Sequence, residues 1–462
     1  MRKQEKQNSK NIIQLLFMMF ILVQPIIDII TSLSINYLQV DFTAGVLIRF
    51  GMMAVGLIYI FFFPHSNFKK KSIIYLLILG LFVILNLANN FLVKSPISLG
   101  VEIRFIVKAI YFVAIFFSYL FVLQELRKKD NWERKIQGFI TISMLIVGVS
   151  MVLAEITGTA FNSYDYNKIG HKGWFFAGNE IGAIMSICLP VVVLFAIKKT
   201  DSLKTSFYWI PTIFLMYSLM VIGTKVGVGA VIITIVGSLV MILIEMLRKN
   251  TSIKKINLLM NAIVIVGFIL YFPHSPIIKN TEIHLSLLDQ EKPAEETTEN
   301  GQDIETPDVE QNKQENNKKP KLNDNQIENL VLSGRGQFLD RYVQYYQEAP
   351  FTQKILGMGY AGNYTDRAKL IEMDFHDLFF AFGIVGFLLY LLPFIIVFLS
   401  IAKSILFNLK TQFTIENVLI SFGIILGLGI AFTAGHVLTA PAVSIYLAIL
   451  LAYLYLRVKP IM

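Results

Sequence analysis

Asn179-Glu-Ile-Gly-Ala-Ile-Met-Ser-Ile-Cys-Leu-Pro-Val-Val-Val-Leu-Phe-Ala-Ile-Lys-Lys199 decides how this sequence has to fold. Residues 181–197 carry no charge, and a lysine pair closes the run. A helix needs about 20 predominantly apolar residues to cross a bilayer's hydrocarbon, and this stretch has that length and those ends. Its Cys188 is the one cysteine in the chain, which excludes an internal disulfide and any cysteine-based metal site. Packing within the apolar run is the plain reading of that thiol.

Working outward, the pattern repeats. Apolar runs near 11–32, 44–63, 73–93, 103–124, 137–157, 179–197, 207–222, 226–247, 258–273, 376–400, 415–435 and 440–456 give twelve candidate spans. Of 462 residues, 55% are apolar and only 16% charged, where soluble domains carry about 25% charged residues. The first run is too long for the apolar region of a signal peptide, and no small-x-small cleavage site follows it. The net charge of +9 comes from short basic clusters between the runs rather than one patch, which argues against a nucleic-acid partner.

Those clusters orient the chain. With the N-terminus in the cytoplasm, the alternating inner segments hold 23 Lys and Arg and the short outer connections hold 4. Basic residues concentrate on the cytoplasmic side of membrane proteins. The expected fold is therefore an all-α polytopic protein of the cytoplasmic membrane, with about 12 transmembrane helices and both termini inside. Residues 1–273 hold helices 1–9 and residues 375–462 hold helices 10–12. Residues 274–374 form one large extracytoplasmic loop between helices 9 and 10.

The loop has two parts. Asp289 to Glu315 contains ten acidic residues against Lys292 and Lys313, with almost no apolar side chains. Such a composition cannot bury enough surface to offset its ordering entropy, so a disordered spacer is expected over about 289–325. Beyond it, Phe338, Leu339, Tyr342, Val343, Tyr345 and Tyr346 fall at helical spacing after Ser333-Gly334, which predicts a surface helix over about 333–349, stopped by Pro350. Gly357-Met-Gly-Tyr-Ala-Gly362 reads as turn.

Ionisable groups at the outer ends of spans are the candidates for chemistry. His376 sits where the loop re-enters the membrane, in Met373-Asp-Phe-His-Asp377. An imidazole there can take a proton from a hydroxyl, with Asp374 or Asp377 fixing its tautomer. The competing reading is an interfacial His with Asp377 as a helix cap. Arg335, Arg341 and Arg367 in the loop and Lys225 in Gly223-Thr-Lys-Val-Gly227 are cations suited to a diphosphate, or else to lipid headgroups. Asn179 and Glu180 open the sixth span toward the same compartment, as site residues or as caps. Glu102, Arg104 and Lys108 read as an ion network. No P-loop, Rossmann glycine pattern, HExxH or EF-hand occurs, so neither an ATP-driven pump nor a cofactor or metal site is expected. A transporter is the remaining alternative, but its usual mark is interrupted helices with charges near mid-bilayer, and these spans read as clean of charge at their centres, with the polar residues gathered in one outer loop.

At these residues the sequence resembles the O-antigen ligase and O-antigen polymerase superfamily of bacterial polysaccharide assembly. Ser333-Gly-Arg335, with Pro350 and Gly357-Met-Gly359 downstream, resembles that family's loop motif. His376 followed by Gly383-Ile-Val-Gly386 resembles its entry into the next span. Phe175-Phe-Ala-Gly-Asn179 is similar to its Asn-bearing span start, and Gly223-Thr-Lys225 stands where the family usually has Ser-Arg. The resemblance covers roughly residues 140 to 400. Lys225 keeps the charge of the usual Arg without its fork, Asp377 replaces Asn or Ser, and Phe382 stands where an acidic residue often precedes Gly-Ile-x-Gly.

The resemblance implies a metal-independent, inverting glycosyltransferase with a C-type glycosyltransferase membrane fold. Its donor would be a glycan on undecaprenyl diphosphate, its acceptor a sugar hydroxyl, and its surroundings membrane lipids and other polysaccharide-assembly proteins. By carry-over, His376 activates the acceptor, while Arg335 and Lys225, joined by Arg341, hold the diphosphate. The motifs do not separate polymerase from ligase; a Lys-, Asn- and Ile-rich composition favours a polymerase of a cell-wall, capsular or teichuronic-type glycan. The alternative function is a flippase for lipid-linked oligosaccharide.

Overall fold

The computed structural model describes residues 2–39, 43–63, 67–129, 131–164, 168–248, 253–290 and 335–459. The expected acidic spacer beyond residue 290 and the Ser333-Gly334 pair lie outside the described residues. In chain order the α-helices are α1 (Arg2–Leu38), α2 (Ala44–Phe62), α3 (Asn67–Val93), α4 (Leu99–Leu126), α5 (Trp132–Ile156), α6 (Gly178–Lys199), α7 (Ile210–Val221) and α8 (Lys225–Leu247). They continue as α9 (Ile256–Tyr271), α10 (Pro276–Gln290), α11 (Arg335–Glu348), α12 (Phe351–Leu356), α13 (Asp374–Phe407), α14 (Leu409–Gln412), α15 (Ile415–Thr433) and α16 (Pro441–Val458). Among the described residues no strand forms, and eleven helices are long and apolar enough to cross a membrane. The protein is an all-α polytopic membrane protein.

The expected seventh span is the exception, and its change of helix type falls at Pro211, which has no N–H to bond Phe207. The chain instead runs as a 3₁₀ helix over Leu203–Trp209, opened by a Ser202/Thr205 capping box, and then as α7 with Pro211 in its first turn. At about 2 Å and 1.5 Å per residue the two pieces together reach about 30 Å. Lys199 and Asp201, just before them, share a cavity with Arg457; Gly223, just after, shares one with Arg335. The composite element therefore passes from one end of the bundle to the other.

Sidedness of the helices follows their composition. From Ala109 to Leu123 α4 carries no charge, with Tyr111, Phe112, Phe116, Phe117, Tyr119 and Phe121 in succession, and it is buried against α16. Phe112 stacks on Phe394 of α13 at 4.7 Å. α3 and α9 lie outermost and expose Leu77, Leu81, Ile263 and Leu270, the surface that hydrocarbon would cover. The spans are not free of charge: Arg49 of α2 pairs with Asp28 of α1 and donates Nε to Gln24 Oε1 at 3.1 Å.

α13 positions the site, and it is broken. Gly383 has φ 64° and ψ −173°, so the helix opens there and releases the carbonyls of Phe380 and Ala381. The amides of Met358 and Gly359 fill the gap, donating to Phe380 and Ala381 at 2.9 and 3.1 Å. Only glycine fits this crossing: a Cβ on Gly383 would lie 2.5 Å from the Gly357 nitrogen, and one on Gly357 2.1 Å from the Ala381 oxygen.

The glycine segment is in turn pinned to α3 and α4. Asn86 donates to the carbonyls of Leu356 and Ala381 at 2.6 and 3.0 Å, and Asn90 to that of Gly357 at 3.1 Å. Glu102 accepts from the Tyr360 amide at 2.7 Å and pairs with Lys94 at 2.7 Å. Glu102 thus holds this loop directly and pairs with Lys94, rather than joining the expected network with Arg104 and Lys108.

Candidate active site at the loop end of the bundle

Asn179, Lys225 and Arg335 come together around one cavity of about 220 Å³. Each is the product of a local rule. Gly178 and Asn179 open α6 after an extended Ala177, leaving the first-turn amides of that helix toward the cavity. Thr224 caps α8, its hydroxyl accepting from the Gly227 amide at 3.1 Å, and so places Lys225 as the first helical residue. Gly223, at φ 78°, makes the turn before it. Asn280 of α10 holds that turn by donating to the carbonyls of Gly223 at 3.1 Å and Ile169 at 2.7 Å. Arg335 begins α11.

The electrostatic character follows. Two helix N-termini, α6 and α8, point their orphan amides and positive dipole ends at the same space. Lys168, Lys225 and Arg335 add three cations to the wall, and Tyr164 and Asn280 add polar groups. Burial lowers the pKa of Lys168. The arrangement can bind an anion with several oxygens and hold it while charge builds on it.

Arg335 is oriented by Glu372, whose Oε2 lies 3.4 Å from the guanidinium and 3.8 Å from His436 Nε2. The facing His436 imidazole holds the Glu372 pKa below its usual 4.5 against burial, helped by Arg335 and Lys369. Burial opposes charge on His436, but Glu372, Glu180 and Asp374 outweigh it and raise its pKa above 6.5. The sequence places His436 among five outer-side histidines without marking it as a site residue, and nothing in it singles out Glu372. A carboxylate just before the Asp374–Asp377 cluster and a histidine in the Gly435-His-Val437 turn were the available signals.

His376 lies on the short half of α13 before the break, its ring 5.5 Å from that of Phe432, the neighbour of Thr433 in the cavity wall. Its Nδ1 is buried without a hydrogen-bond partner among the described residues. Two expectations are corrected here. Neither Asp374 nor Asp377 orients the imidazole, because both are buried and committed to backbone. Asp374 accepts from the amides of Val437 and Leu438 and the hydroxyl of Thr439, each at 2.7 Å. Asp377 accepts from the amides of Ile371 and Met373 at 2.9 and 3.2 Å, so it shapes the turn into α13 and has no place on the cavity wall. Arg341 is exposed over the Phe338 ring at 5.8 Å and does not line the cavity.

Residues 10–460 match the model of a family described as O-antigen ligase like membrane protein. No curated protein and no solved structure matches the chain. A match over nearly the whole length joins the helices, the glycine loop and the cation-lined cavity in one family assignment. The chain belongs to the O-antigen ligase like membrane proteins.

Proposed function

We propose that this protein transfers a glycan from an undecaprenyl-diphosphate carrier to a sugar hydroxyl at the outer face of the cytoplasmic membrane. The observation that carries the reading is the meeting of Arg335, Lys225 and two helix N-termini at one cavity. The excess of Lys and Arg at the opposite end of the bundle supports the outward orientation.

The reaction is a single displacement with inversion. The acceptor oxygen bonds to the anomeric carbon as that carbon's bond to the diphosphate oxygen breaks. The acceptor proton passes to His376, and the electron pair leaves with undecaprenyl diphosphate. Arg335, Lys225 and the amides of α6 and α8 stabilise the negative charge on the departing oxygens. Asn179, in the first turn of α6, is suited to a donor sugar or phosphate oxygen.

The broken α13 is the feature that favours a transport reading, since discontinuous helices line substrate paths in transporters. Here Met358 and Gly359 fill the break with their own backbone, so it serves to set the half-helix that carries His376. Reconstitution decides. Purified protein in liposomes with a lipid-linked oligosaccharide is expected to lengthen or transfer the glycan and release undecaprenyl diphosphate. Movement of the lipid between leaflets with no change in glycan length is the result that overturns the proposal.

A further inference from the structure

Glu372 and His436 meet across the gap between the end of the large loop and the turn joining α15 to α16. Both have left-handed backbone, at φ 65° and φ 59°. Non-glycine residues seldom hold that conformation, and two of them in mutual contact mark a junction that the surrounding fold enforces. The enforcement is visible. Gly435 packs so closely that a Cβ there would lie 2.5 Å from the Glu372 carbonyl oxygen. Asp374 clamps the Val437–Thr439 turn through three contacts of 2.7 Å. Through one carboxylate oxygen, Glu372 then faces both the Arg335 guanidinium at 3.4 Å and His436 Nε2 at 3.8 Å. Arg335 and Gly435 line the same cavity.

We propose that Glu372 and His436 are positioning residues for the diphosphate: Glu372 fixes Arg335 at the cavity wall, and proton uptake by His436 adds one positive charge there and tightens binding of a lipid diphosphate. With His436 neutral, Arg335 and Glu372 cancel; with His436 protonated, the trio carries a net charge of one. The inference rests on the diphosphate reading above. The other charged groups around the imidazole are Glu180 of α6 and Asp374 of α13, with Asp28, Arg49 and Lys108 beyond Glu180 and Lys369 beside Glu372. Burial opposes charge on His436, but these carboxylates outweigh it and raise its pKa above 6.5.

The test is direct binding of undecaprenyl diphosphate to the purified full-length protein in nanodiscs, between about pH 5.5 and 8.5, a window spanning the imidazole titration. The ligand's own titration is common to all variants and cancels in comparisons. Wild-type affinity is expected to fall about three- to tenfold more than that of His436→Gln as pH rises, the scale of one charge-assisted contact. Glu372→Gln is expected to move the midpoint of this limb to lower pH, because the carboxylate that favours the imidazolium is gone. His436→Lys keeps a fixed cation and is expected to bind at high pH as the wild type does at low pH. A His436→Gln curve that parallels the wild type, or a His436→Lys protein that binds no better at high pH than His436→Gln, overturns the inference. Wild-type protein that fails to bind undecaprenyl diphosphate at any pH overturns instead the diphosphate reading.

Discussion

The amide of Met358 donates to the carbonyl of Phe380 at 2.9 Å, so a loop segment takes the place of a helical turn inside α13. Everything before the break, including His376, is aimed by that substitution. Because the break depends on Gly383 at φ 64° against Gly357, Gly383→Ala should be costly twice over, in backbone strain and in a 2.5 Å clash with the Gly357 nitrogen. The expected loss is about 1–3 kcal/mol of stability. Glycan transfer should fall about a hundredfold, the effect of misplacing a reactive group by about 1 Å. A thermal unfolding midpoint in detergent and a transfer assay measure the two effects.

What could be read from the sequence follows the range of the forces involved. Spans such as 179–197 depend on apolar length alone, and Lys225 and Asn179 declare themselves as polar residues at the ends of such runs. The break in α13 needs Gly383 to find Gly357 and Met358, and each half looks ordinary until the two meet. The Glu372–His436 contact is tertiary in the same way. Asp28 and Arg49 are masked by the apolar length of the runs around them, although an ionisable residue inside a span is itself a signal.

Lys94 and Glu102 are nearly inaccessible, at 1% and 3% side-chain exposure, and between them bind both the amide and the carbonyl of Tyr360. Burial lowers the Lys94 pKa, with Glu102 opposing that shift. Removing one partner leaves the other buried and uncompensated, so Lys94→Met is expected to destabilise by about 3–5 kcal/mol. The double variant Lys94→Met/Glu102→Gln has no stranded charge and should recover much of that loss. A double-mutant cycle of unfolding midpoints checks it; equal losses in the single and double variants would count against this account.

The Glu372–His436 contact should also leave a mark on stability against pH. The raised pKa of His436 gives stabilisation that is full below 6.5 and disappears as pH rises through the folded value. The lowered pKa of Glu372 gives stabilisation present above 4.5 and lost as pH falls through its folded value. The two overlap between 4.5 and 6.5. The difference in unfolding midpoint between the wild type and Glu372→Gln/His436→Gln should be greatest in that window and shrink on both sides.

His376 and Asp377 are neighbours in sequence with opposite expected phenotypes. The imidazole is half-buried beside Phe432 and its Nδ1 has no partner among the described residues. His376→Ala should therefore leave the unfolding midpoint nearly unchanged while transfer falls about 10²- to 10⁴-fold, the range for a lost general base. Asp377→Asn keeps one acceptor for the amides of Ile371 and Met373 but loses the other. It should cost about 1–3 kcal/mol of stability, the penalty for a stranded buried group. Transfer, normalised to folded protein, should drop much less than in His376→Ala, because Asp377 does not touch the imidazole. Undiminished polymer length and yield from a correctly inserted His376→Ala protein would remove His376 as the base. The Glu372–His436 side of the cavity would then be the place to look for the group that takes the acceptor proton, since the His436 imidazole faces Glu372 there.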